Sequence, residues 1–146
     1  MEVPTRVNET SRATGAARGA RIMHAALAIG LLLVGATFFL VRQVQPLDSM
    51  PGVGLAVAGI ALAVLAGCFA FLRGRVPQRH TDQSPDDYWA ANENRGPAVV
   101  LWAGVDSAGV LAWMGYMIGG GQVAPAAVAV LAIIGMMLVR PARLEG

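Results

Sequence analysis

Four uninterrupted apolar runs, each close to the length of a membrane span, constrain this chain more than any motif within it. They are Ile22 to Val41, Val53 to Leu72, Ala98 to Ile118 and Val123 to Val139. Crossing a hydrocarbon core of about 30 Å takes roughly 20 helical residues. Strands of a membrane barrel would instead alternate apolar and polar residues over about ten positions, and at least eight of them would be needed to close. In lipid every backbone N–H and C=O must find a partner inside the protein, which leaves helices as the solution for continuous apolar runs. The expected fold is therefore all-α: a polytopic membrane protein of four transmembrane helices arranged as two tandem hairpins.

The distribution of charge supports this division. Apolar residues make up 55% of the 146 and charged residues 14%, against roughly 45–50% and 25% in soluble domains. All eleven basic residues are arginines. Arg6, Arg12, Arg18 and Arg21 precede the first span; Arg73, Arg75, Arg79 and Arg95 lie between the second and third; Arg140 and Arg143 follow the fourth. Arg42 alone falls in the first connector, and the third has none. The positive-inside rule then places both termini and the central connector in the cytoplasm. The net charge of +2 reads as a topology signal, and without interleaved basic and aromatic residues it gives no reason to expect nucleic acid.

The expected organisation is a flexible cytoplasmic tail over residues 1–20, a membrane domain over 21–143 with a cytoplasmic connector at 73–97, and a short tail at 144–146. The first apolar run ends in TFFLVRQ without a small-residue cleavage pattern, so retention as a membrane helix is expected rather than removal as a signal peptide. The single cysteine, Cys68, lies inside the second span and is expected to be a small buried apolar residue. In the connector, Ser84-Pro85-Asp86-Asp87 has the cap, the first-turn proline and the acidic residues of a helix start. A short helix from Pro85 to Asn92 should follow, with Tyr88 and Trp89 at the headgroup level of the inner surface. Gly96-Pro97 should break the chain before the third span.

Small residues should mediate contact between helices, because burial against leucine offers no advantage over lipid. Gly59, Ala63 and Gly67 of the second span make it the expected central helix. Such faces serve within one copy and between copies, so a homo-oligomer or a larger membrane complex is compatible with them. The triplet Gly119-Gly120-Gly121 should close a tight outer turn. The segment Arg21 to Gly35 can also be laid on Arg95 to Gly109 with Leu27/Leu101, Gly30/Gly104 and Gly35/Gly109 in step. Parallel duplication and coincidence among common membrane residues both account for that.

Asp106 is the sharpest chemical feature. It lies about two residues, or roughly 3 Å of helical rise, from the middle of its span. An aspartate there costs about 2.5 to 3.5 kcal/mol on insertion scales, so it is expected to face the bundle interior as a neutral acid. Trp102, Gly109, Trp113 and Tyr116 share its side of the helix by three- and four-residue spacing, and Ser107 is its neighbour. The carboxyl could join helices by a hydrogen bond, or bind and release a proton or substrate. His24 and His80 are too far apart for a metal site, His24 reads as an interfacial residue beside Arg21, and neither catalytic residues nor a cofactor are expected.

Asp106 early in the third helix and Arg140-Pro141 closing the fourth resemble a group of small, uncharacterised bacterial four-helix membrane proteins. The tandem hairpins with one membrane carboxylate are more weakly similar to the proteolipid c subunits of rotary ATPases. In those the carboxylate belongs to the second helix of a hairpin, whereas Asp106 lies in the first. These resemblances imply a multi-pass protein of the bacterial inner membrane. The residues themselves lead to a structural or accessory, non-enzymatic role, with proton or substrate handling at Asp106 as the alternative.

Overall fold

The computed structural model describes residues 15–45 and 48–145, and these contain helices and connecting turns without strands. Helix α1 covers Ala16–Val44, α2 Pro51–Gly67, α3 Pro85–Ala90, α4 Asn92–Ile118, α5 Val123–Leu138 and α6 Pro141–Leu144. A π-helical turn, Cys68–Leu72, and a 3₁₀ turn, Arg73–Arg75, prolong α2. Three helical segments are long and apolar enough to cross a membrane: Ala16–Val44, Pro51–Arg75 and Asn92–Ile118. The fourth apolar helix, α5, is shorter, with 16 residues. Large apolar side chains lie exposed on all four, including Ile29, Leu33, Ile60, Val100 and Leu131. An exposed apolar belt of this extent is the surface of a membrane protein, since water would penalise it.

The central helix is α4, not the second span. It packs on α1, α2 and α5, whereas α1 and α2 do not pack along one another. The first two spans therefore flank α4 rather than forming a closed hairpin. The reason lies in where backbones can approach. A methyl group added at Gly54 of α2 would sit 2.5 Å from the Cα of Gly119 and 2.7 Å from the carbonyl oxygen of Gly115. Gly104 similarly admits the Cys68 sulfur, and Gly109 admits Leu31 of α1. Gly59 and Gly67, whose spacing had suggested a central α2, have no neighbours in that sense. The aligned halves are also inequivalent: Gly104 is tightly packed, and Gly30 has open space.

Local signals explain some of the helix ends. The Ser84 hydroxyl accepts from the backbone N–H of Asp87 at 3.1 Å, and Pro85 starts α3. Gly120 and Gly121 take φ of +81° and +82° in the outer turn, a region that side chains disfavour. Pro97 does not break the chain, because α4 begins at Asn92 and continues through it. A proline this close to the start forfeits one hydrogen bond near the helix end, and the 21 residues after it continue the helix. At the other extreme of the sequence, α1 begins at Ala16, so residues 16–20 of the expected tail are helical. Arg6, Arg12 and the rest of that tail through residue 14 lie outside the described residues, as does Gly146.

Candidate functional site

Helix ends inside a membrane protein present a specific problem: the last four carbonyls of a helix lack intrahelical donors. At the C-terminal end of α5, side chains from two other helices supply them. His24 of α1 donates its Nε2 hydrogen to the Met136 carbonyl at 2.9 Å. Trp102 of α4 donates its indole N–H to the Val139 carbonyl at 2.7 Å. Pro141 follows, with no N–H to continue the helix. His24 is thus buried and structural, not interfacial, and its ring meets Trp102 edge-on with 5.4 Å between centroids.

The connector helix α3 completes this end of the bundle. Tyr88 and Trp89 have no exposed surface, so they do not lie at a headgroup surface. Both rings are drawn into one aromatic column. The centroids of Tyr88 and Trp89 are 5.0 Å apart, and those of Trp89 and Trp102 5.6 Å. The polar tips are satisfied by distant partners. Trp89 Nε1 donates to Glu145 Oε1 at 2.8 Å, the Tyr88 hydroxyl to the Pro77 carbonyl at 2.6 Å, and Asn94 Nδ2 to the Tyr88 carbonyl at 2.9 Å. Asp86 accepts from the backbone N–H of Ala17 at 2.9 Å, capping α1 where Gly15 provides no side chain. Burial, then the charge of Glu145, pushes the Tyr88 phenol above its ordinary value. Arg21 approaches Glu145 at 3.9 Å from an exposed position.

The structure disperses the candidate residues around Asp106. Trp102 belongs to the aromatic column. Gly109 is buried beneath Leu31 and Ala132, and Trp113 lies over Gly35. Tyr116 stacks on Phe39 of α1 and meets Trp113 edge-on. These side chains fill the α1–α4 seam, and Asp106 lies at its edge, half-buried, with Ser107 exposed beside it. Among the described residues no hydrogen bond or ion pair reaches the Asp106 carboxyl. A cleft of about 580 Å³ is lined by Asp48, Met50, Val53, Met117 and Ile118. Met117 is eleven residues beyond Asp106, about 16 Å of helical rise.

What this arrangement can do chemically is accept a hydrogen bond on an outward face. The column at the other site joins six segments of chain: α1, the connector at Pro77, α3, α4, the end of α5 and the C-terminal segment at Glu145. No grouping of three or more His, Cys, Asp or Glu side chains suited to a metal occurs among the described residues. Comparison with known proteins returned no matching family model, curated protein or solved structure.

Proposed function

We propose that the protein is a four-span integral membrane protein of structural or accessory role, with its termini and central connector in the cytoplasm of a bacterial inner membrane. The observation that carries this reading is the set of side-chain hydrogen bonds that join helix ends. His24, Trp102, Trp89 and Asp86 tie helix ends together, and the mid-span carboxyl stands at the edge of an outward face. A carboxyl so placed serves contact between helices, without catalysis. The arginine distribution supports the orientation. Helix α5 rises about 24 Å, and local thinning of the bilayer and extension of the Arg140 side chain toward the headgroups accommodate the shortfall.

Two measurements test this reading. A reporter fused after Arg143 is expected to be cytoplasmic; a periplasmic signal would overturn the four-span topology. In liposomes carrying a trapped pH dye, the parent and Asp106→Asn proteins are expected to admit protons no faster than empty vesicles. Proton flux in the parent that Asp106→Asn abolishes would replace the accessory role with proton handling.

A further inference from the structure

We propose that the open face of α4 is the contact surface for a second copy of this chain, in a two-fold pair where Asp106 of each copy accepts from the Ser107 hydroxyl of the other. This rests on the membrane reading above and names the partner that the accessory role leaves open. Three sides of α4 are covered: Leu31 and Gly35 of α1 meet Gly109 and Trp113, Gly54 of α2 and Cys68 of the π-helical turn after it meet Gly115 and Gly104, and Ala132 and Pro125 of α5 meet Gly109 and Gly115. The fourth side carries Ala103, Ser107 and Met114, all exposed, with Val110 and Asp106 half-buried. At 100° per residue Ala103, Val110, Met114 and Ser107 fall within roughly 60° of one another. Asp106 lies at one edge of this face and Ser107 at the opposite edge.

Lipid is a poor occupant for that face, because an acyl chain provides no donor for a carboxyl near mid-span. A second copy provides one by symmetry. When two such faces meet about an axis along the membrane normal, the left edge of one lies against the right edge of the other. Asp106 then meets Ser107 twice, as the reciprocal contacts of an isologous interface require. Ala103 and Ser107, four residues apart, give the small surface that lets two helices approach closely. Helices α1 and α2 sit beside and behind α4 and do not pack across this face to close it. The complementarity is thus contained in two adjacent residues of one helix.

The test uses the full chain in liposomes, with Cys68→Ala removing the native thiol and single cysteines introduced by Ala103→Cys on the open face or by Ile29→Cys and Leu131→Cys on the exposed faces of α1 and α5. Oxidation is expected to give a disulfide dimer with Ala103→Cys and little with the other two. In the Cys68→Ala, Ala103→Cys background, Ser107→Ala is expected to weaken dimerisation about tenfold through loss of two hydrogen bonds, whereas Asp106→Asn, which still accepts, retains it. Cross-linking equal at all three positions, or absent at Ala103, would overturn the proposal. So would single-molecule counting that finds one chain per particle at high protein density. Any of these results leaves the proposed function intact, because topology and proton flux are read independently.

Discussion

The aromatic column beside α3 and the open face of α4 both carry polar groups on membrane helices, yet they resolve them in opposite ways. At the column, each donor has an acceptor within the same chain, and the contributors are far apart in sequence. His24 reaches Met136, Trp102 reaches Val139, and Trp89 reaches Glu145. On the open face, Asp106 and Ser107 are adjacent, and the carboxyl finds no partner within the described part of its own chain. The contrast teaches that a polar residue in a span is informative through where its partner lies. A partner in the same chain fixes a fold; a partner in another chain fixes an assembly.

Substitutions at the two regions should separate accordingly. Trp89→Ala should have the largest effect, because it empties a fully buried site and frees Glu145; a loss of about 3 to 5 kcal/mol is expected in detergent unfolding titrations. A loss below 1 kcal/mol would show that the column is not a stabilising core. Trp102→Phe keeps most of the ring volume but leaves the Val139 carbonyl without its indole donor, with an expected cost of about 1 to 3 kcal/mol in the same titration. For Asp86→Ala, loss of the cap supplied to α1 from another helix should cost about 0.5 to 2 kcal/mol, accompanied by faster amide exchange at Ala17.

The phenol of Tyr88 offers a smaller, pH-dependent probe of the column. Its folded value lies above the ordinary value of about 10 because burial, and secondarily the charge of Glu145, disfavours the phenolate. The neutral form is the one the fold prefers. Its contribution to stability is therefore fully present below the unfolded value and is lost as pH rises through the raised folded one. Ultraviolet titration should show Tyr88 ionising later than free tyrosine, and Glu145→Gln should move it part of the way back. On the open face, Ser107→Val and Asp106→Asn should change the stability of the single chain by no more than about 0.5 kcal/mol. A change as large as that of Trp102→Phe would mean that this face is internally satisfied.

Helix positions were legible in the sequence because lipid imposes long apolar runs, and the Ser84 cap and the glycine turn are local chemistry. The choice of central helix was not legible. Span two is apolar all round, so periodicity gives no face, and the deciding close approaches occur at Gly54, Gly104, Gly115 and Gly119 rather than at the regularly spaced Gly59 and Gly67. Tyr88 and Trp89 suit a headgroup surface equally well by composition. Their burial depends on acceptors at Pro77 and Glu145 that no local pattern connects to them. Composition singles out Asp106 by its cost in lipid. That cost argues for shelter without distinguishing the interior of one copy from the seam between two.

The most direct test of a closed column beside an open helix face is a spin-label scan of single cysteines along α4, from Leu101 to Met114, in detergent-dispersed single chains lacking Cys68. The labels should be mobile at Ala103, Ser107 and Met114 and immobilised at Leu101, Val105, Ala108 and Ala112, with intermediate mobility at Asp106 and Val110. Immobilisation at Ser107 and Asp106 together with mobility at Ala108 and Ala112 would place the carboxyl inside the bundle and contradict the account.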